Sequence, residues 1–546
     1  MYSNILRFML DFSKLITPAR HGAVLMLPAP SECVAAVQTN ARALRAADTP
    51  VLDSTLSDWR RRTREAVVGS DDRPIIVTGH QPAFIHPGVW AKHIVSMRLA
   101  DALGGIALNL VVDNDAPQGT TLAVPSVKGS RVELRGVRYA DLRAGCAYEQ
   151  LAHQTPDEIV RFERAVHEAM GVRYQKSQMP LFIGALSIAD ETCDGTDQSV
   201  AARRAVEAAF GVSVEDRRVS RLWWTPLLLD MLGHAERFAR SYNAALAWYR
   251  KEFRVRGGQR PIPDLLSRGA AWELPVWAYR SGETRRRLFV ERRDHGVRLL
   301  ADGEEIGVFP LSHSPLSSTP PGPKDLGHPA FLLNDLAALD RLISPLHGPS
   351  EWRLRPRALT LTLWARLFLA DLFIHGIGGA KYDRISDAII ADYFGIEPPE
   401  MACVSATLLL DLPRTSTTPE TIRDLRRSLR DLEWNPHRNL PQGAALATLV
   451  EQRERAVRRA VELRETAPHN RSARRATFLE IRGLNRRFGT SRSGELANRG
   501  AELQQALDDM HQKRIALGRE YFFSLYARSA LEELLAALPR TSEFRV

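Results

Sequence analysis

The chain has 546 residues and a mass of 61.1 kDa, room for about three to four domain-sized units. With 44% hydrophobic, 25% charged and 7% aromatic residues, it is neither a disordered chain, a collagen-like chain nor a small disulfide scaffold. The net charge is +10, yet only eight of the 74 basic residues are lysines. The arginines stand in mixed-charge helical stretches beside Asp and Glu, which reads as solvated helix faces, so nucleic acid is not the expected partner.

Residues 1–70 read as an N-terminal extension followed by helices. The first 22 residues are amphipathic but carry Arg7, Asp11 and Lys14, which argues against a signal peptide. Ser31 is the expected N-cap of the next helix. Residues 71–125 then change character. The run from Pro74 to Thr78 predicts a buried strand, ending at Gly79-His80-Gln81-Pro82. A turn at His86-Pro87-Gly88 leads into a helix closed by Gly104 and Gly105. A second strand, Ile106–Val112, ends at Asp113-Asn114-Asp115. Strand, helix and strand within about forty residues define a βαβ unit, and strands apolar on both faces imply a covered parallel sheet.

Residues 126–350 read as inserted α+β segments. They hold a helix over 234–253, a proline-rich turn at 260–264, a β-like stretch over 272–279, hairpins around Asp302-Gly303, and a Pro/Ser/Gly-rich loop from Ser312 to Pro323. Residues 351–414 return to α/β character. An apolar helix is expected to run into the turn His375-Gly376-Ile377-Gly378-Gly379-Ala380-Lys381-Tyr382-Asp383, then another helix, then a strand over 403–410. Residues 415–546 form a charged helical region. Leu496, Leu503, Leu507, Met510, Leu517 and Tyr521 recur at steps near 3 and 4, the pattern of a helical hairpin or antiparallel coiled coil, solvent-facing or dimer-forming.

Cys33, Cys146, Cys193 and Cys403 are far apart and form no CxxC pair, which points to reduced structural thiols in a cytoplasmic protein. No apolar run approaches the ~20 residues a membrane span requires. The chemistry is expected at the turns. Gly79, His80, Gln81, His86, Gly88 and Lys92 lie where open α/β sheets bind ligands, at the carboxyl end of a strand and the start of a helix. His86-x-Gly88 resembles part of the HxGH motif of nucleotidyltransferases and class I aminoacyl-tRNA synthetases, without its final histidine. The same histidines also suit turn capping. His80, His86 and His93 match no short metal-ligand spacing, so no metal site is expected among them. Asp113, Asn114 and Asp115 suit a ribose, an amine or Mg²⁺, and equally an N-cap or Asx-turn. His375, Gly376, Gly378, Gly379, Lys381 and Tyr382 form a glycine-rich turn with a point charge for phosphate. Lys92 and Lys381 are two of only eight lysines, which singles both out in an arginine-biased chain.

The motif order resembles the bacillithiol-synthase family, the cysteine ligases known as BshC. The matching pieces are Thr78-Gly79-His80-Gln81, Leu110 to Asp115, Leu354-Arg355-Pro356 and Gly376 to Tyr382. The family's usual Gly-Gln-Gln is Gly79-His80-Gln81 here, and its acidic cluster is Asp113-Asn114-Asp115 followed by Ala116-Pro117, so the chain reads as a divergent branch. The resemblance implies a Rossmann-like core, inserted connecting segments and a coiled coil used for dimerisation. It implies a small-molecule ligase or related nucleotidyl transferase using ATP or ADP, with Mg²⁺. His80, His86, Lys381 and Asp115 would be catalytic, and the remaining turn residues would bind nucleotide or substrate. The alternative is a non-catalytic dimeric scaffold that keeps the fold.

Overall fold

The computed structural model describes residues 12–69, 72–82, 84–117, 119–190, 193–255, 262–294, 296–313, 331–333, 352–435, 444–490 and 493–545. The first half of the expected extension, most of the 312–323 loop and the start of the 260–264 turn lie outside them. The described chain divides into two compact units. One comprises residues up to 124, 135–410 and 519 onward; the other comprises 125–134 and 411–518.

The first unit is mixed α/β and holds a largely parallel sheet. Its strands are β1 (Val24–Leu27), β2 (Ile75–His80), β3 (Ile106–Val111), β4 (Glu215–Arg218), β5 (Leu372–His375) and β6 (Met401–Ala406). They lie in the order β1-β6-β5-β2-β3-β4. β1 runs antiparallel to β6, and the other five run parallel. Along the chain, the parallel strands therefore stand third, second, first, fourth, fifth, and the winding reverses between β2 and β5.

Local sequence explains these elements. Ile75, Ile76 and Val77 are fully buried, as suits β-branched residues in a strand covered on both faces. The connecting helix expected after β2 is α3 (Pro87–Leu103), following α1 (Pro30–Arg45) and α2 (Leu56–Val68). Gly104 ends α3 at φ +63°. At Gly105 a Cβ would stand 2.4 Å from the Pro74 carbonyl oxygen, so β2 and β3 approach only over glycine. The start of α1 differs from the expected Ser31 cap. Ala29 is the N-cap, Pro30 takes the first helical position, and Glu32 accepts from the Ala29 N–H at 2.8 Å. Proline's fixed φ and missing N–H suit that position.

β5 is the element missing from the sequence reading. The helix Ala358–Trp364 continues as a π-turn through Leu369, and the chain then enters the sheet. An unbroken apolar run carries both helix and strand, and periodicity cannot divide it. Asp371 marks the boundary. Its carboxylate pairs with Arg60 at 2.7 Å and Arg64 at 3.0 Å, both from α2, and accepts from Ile75 N–H at 2.8 Å. This buried network sets β5 beside β2.

A second, antiparallel sheet lies in the insert between β4 and β5. Its strands run in the order Phe331–Leu333, Glu304–His313, Gly296–Ala301, Arg286–Arg293, Ala271–Arg280 and Trp352–Pro356, and Ser267–Arg268 pairs with Ala271–Arg280. Trp352–Pro356, expected in the second half of the α/β core, is thus a strand of the inserted sheet. One apolar core runs through Val77, Leu108, Trp224, Phe238, Leu288 and Trp364. The chain's end also belongs to this unit: Arg98 of α3 donates to the carbonyls of Leu535, Leu538 and Pro539 at 2.9–3.0 Å.

The second unit is helical. Helix Ala444–Thr466 pairs antiparallel with Arg471–Thr490, where Arg453 donates to Asn485 at 2.8 Å. Helix Pro419–Trp434 pairs with Ser493–Ala516, where Lys513 donates to the Thr417 carbonyl at 2.8 Å. The last helix stops at Ala516, so the expected apolar series does not continue through Leu517 to Tyr521 as one helical seam. Among the described residues no helix is long and apolar enough to cross a membrane.

Candidate functional site

The carboxyl ends of β2, β5 and β6 lie side by side, with Thr78 opposite Ile374 and His375 opposite Cys403. The Thr78 hydroxyl donates to the Ile374 carbonyl at 3.0 Å. Two of the expected turns, 79–92 and 376–383, therefore meet at the reversal of winding.

The histidines of the first turn are in different tautomers. His80 Nδ1 lies 3.0 Å from the Gln81 carbonyl oxygen, so Nδ1 carries the proton and Nε2 keeps a lone pair. Burial, reinforced by the Lys92 charge, lowers its pKa to about 3. His86 is the N-cap of α3, and its Nδ1 accepts from Gly88 N–H at 3.1 Å, so its Nε2 carries the proton. Burial and the neighbouring Arg519 lower its pKa to about 4. Both rings are neutral at pH 7. His80 presents an acceptor and His86 a donor.

The first turn of α3 is not an open anion cradle. The N–H groups of Val89 and Trp90 donate to the His86 carbonyl at 2.9 and 3.1 Å, and Gly88 is buried. A Cβ on Gly88 would stand 2.8 Å from Arg519 Nη2 and 2.9 Å from the Ala406 carbonyl oxygen. Arg519 donates to Ser405 Oγ at 3.1 Å and to Ala406 O at 3.3 Å, while its Nε is buried without a partner. It is the cation that sequence reasoning missed, because it enters the site from the far end of the chain.

Lys92 is 4% exposed, and its Nζ donates to the Gly79 carbonyl at 2.8 Å. Burial lowers its pKa to about 8. Lys381 is half-buried on α4 (Ile377–Tyr382), the short helix after β5. Lys92 and Lys381 both act on the Cys403 thiol of β6, but burial outweighs them and pushes that thiol up to about 12. It therefore stays protonated, which leaves no thiolate nucleophile. Among the described residues Lys92, Lys381 and Arg519 form no ion pair.

Around Lys381 the glycines differ. A Cβ on Gly379 would meet His375 Nδ1 at 2.8 Å, whereas Gly376 and Gly378 face open space. His375 Nε2 donates to Asp383 at 3.1 Å. Burial would raise Asp383, but Arg366 at 2.8 Å and His375 outweigh it and hold its carboxyl well below the usual range. Tyr382 is exposed. Asp383 and Arg366 are thus the support that orients His375, a pairing the single sequence does not reveal.

The acidic cluster is already engaged. Asp113 accepts from Arg218 at 2.6 Å, Ser220 N–H at 2.8 Å and Ser220 Oγ at 2.5 Å. Asn114 donates to the Pro356 carbonyl, with its Oδ1 buried and unpartnered. Asp115 accepts from Gln81 Nε2 at 2.6 Å and its own neighbour Ala116 N–H at 2.9 Å, and pairs with Arg285. These carboxylates do not fit a Mg²⁺ site as they stand, and among the described residues no group of three or more His, Cys, Asp or Glu is arranged to hold a metal. The Gln81–Asp115 bond nevertheless joins the two expected motifs at the ends of β2 and β3.

No protein-family model matches the chain, and no curated protein matches it.

Proposed function

We propose that the first unit is a Rossmann-like enzyme that binds a nucleotide or other phosphorylated ligand where β2 and β5 part. The observation that carries this reading is the cluster of Lys92, Lys381 and Arg519, three cations without ion pairs, around the carboxyl ends of β2, β5 and β6. In a chain whose buried arginines are mostly matched to carboxylates, such a cluster calls for an anion. The third-second-first-fourth-fifth strand order is that of doubly wound nucleotide-binding sheets, which take ligands at this reversal. Gly376 and Gly378 leave room for close backbone approach.

The reaction class is carboxylate–amine ligation or a related nucleotidyl transfer, in line with the resemblance to the bacillithiol-synthase family. A substrate carboxylate oxygen attacks a nucleotide phosphorus and expels the pyrophosphate or nucleoside diphosphate it carried, and an amine nitrogen then displaces the resulting nucleotidyl or phosphate group from the acyl carbon. His86 Nε2–H donates to a phosphate oxygen or the departing group. Lys381 and Arg519 offset the charge that develops there. His80 Nε2 accepts the amine's proton, and a bound polyanion favours this by opposing the field of Lys92. Asp115, held by Gln81, orients the amine. The compartment is cytoplasmic, and the homodimer implied by the resemblance would use the helical region, where Val461, Phe478 and Leu479 are exposed.

Calorimetric titration of ATP and ADP into wild type, Lys381→Ala and Arg519→Ala tests the reading. Binding should weaken about tenfold or more in each variant. No binding to wild type would end the nucleotide reading. It would favour a non-catalytic scaffold, to which the fully buried and engaged Asp113 already points.

A further inference from the structure

A small cavity of about 30 Å³ opens beside the end of β2. Phe84, Leu151, Phe182 and Phe522 line it, and the Phe84 ring stands 5.1 Å from Phe522 and 6.4 Å from Phe182. Three of its polar wall side chains are engaged within the fold. Tyr139 and Ser199 share a hydrogen bond at 2.6 Å, and Ser199 donates to Gly195 O at 2.8 Å. Arg203 is paired with Glu207 at 2.5 Å and Asp216 at 2.6 Å. The hydroxyls of Tyr148, 6% exposed, and of Thr120 have no partner among the described residues. The cavity adjoins the candidate site. Pro82, on its wall, is two residues from His80, and Tyr148 N–H donates to the Asp115 carbonyl at 3.0 Å.

We propose that this cavity is a substrate subsite for a short branched aliphatic group, with the Tyr148 hydroxyl hydrogen-bonding a polar atom at the base of that group. The inference rests on the reading of the neighbouring turn as a substrate site and adds a substrate class to it. A wall built mainly of aromatic and aliphatic side chains favours apolar atoms over water. The volume limits the guest to roughly two to four heavy atoms. The nearly buried Tyr148 hydroxyl, without a partner in such a wall, fixes orientation and discriminates against a guest that offers no acceptor or donor.

The test is a saturation-transfer NMR titration of the full chain with propan-2-ol, run beside ADP calorimetry on the same preparations. Wild type should saturate. Ser199→Leu, which fills the cavity, should lose at least about tenfold in propan-2-ol affinity. Tyr148→Phe, which keeps the ring, should lose roughly three- to tenfold without a change in unfolding temperature. Propan-2-ol that does not saturate wild type overturns the proposal, as does Tyr148→Phe binding it as tightly as wild type. Saturation with the expected losses supports the subsite even where ADP fails to bind, and the ADP failure then counts against the nucleotide reading alone.

Discussion

Lys92 donates from Nζ to the Gly79 carbonyl oxygen at 2.8 Å, so a nearly fully buried ammonium lies under the turn that ends β2. One lysine thereby joins α3 to the point where the sheet's winding reverses, and its field adds to the burial that keeps His80 neutral.

That burial has a pH signature. The Lys92 pKa falls from 10.5 to about 8. Below pH 8 the lysine is charged in both folded and unfolded chains, and folding bears the full cost of burying it. Between 8 and 10.5 the unfolded chain holds a proton the folded one has released, so stability rises with pH. Relative to Lys92→Met, wild type should gain about 3 kcal/mol of stability over that interval, measured by urea unfolding at each end. A difference that stays constant with pH would mean that the ammonium is solvated in the folded chain.

His86 combines two tasks that substitution can separate. As the N-cap it accepts from Gly88 N–H through Nδ1, and as a neutral ring it offers Nε2–H to a ligand. His86→Ala should cost about 1 kcal/mol of stability and also weaken ADP binding. His86→Asn restores a capping acceptor and should recover most of the stability. If His86→Asn also recovers full ADP affinity, His86 only caps the helix.

The glycines separate space needed by the fold from space left for a ligand. Gly88→Ala would press a methyl against the Ala406 carbonyl and should cost about 1–3 kcal/mol. Gly378→Ala meets nothing within 4 Å, so thermal unfolding should show it unchanged or stabilised by up to about 1 kcal/mol. The same Gly378→Ala protein should bind ADP at least about tenfold more weakly. Undiminished binding would place the ligand away from the α4 turn.

The βαβ unit was legible because its signals are local. The apolar run before Gly79, the cap at Gly104 and the second apolar run each occupy a few consecutive residues. β5 was hidden, since the run from Leu367 to Ile374 suits a buried helix and a buried strand alike. Asp371 falls inside that run, and its partners Arg60 and Arg64 stand about 300 residues earlier. The candidate site divides in the same way. The turn at 79–92 could be read as a strand end and the turn at 376–383 by its glycines and lysine, and the sheet brings them together. Arg519 could not be read, because no nearby residue hints that the end of the chain returns to the start of α3. Nor did the run Asp113-Asn114-Asp115 reveal that Arg218, Ser220 and Arg285 already occupy its carboxylates.

The strand order also fixes a timetable for synthesis. β2 and β5 are neighbours in the sheet, yet Ile75 must wait for Asp371 to accept its N–H, and Arg60 and Arg64 wait for the same carboxylate. While the intervening insert emerges from the ribosome, β2 has β3 on one side and an open apolar edge on the other. Arg519 arrives later still. A nascent chain therefore exposes that edge until Asp371 has emerged, and gains the full set of three cations only after the segment that carries Arg519 has followed.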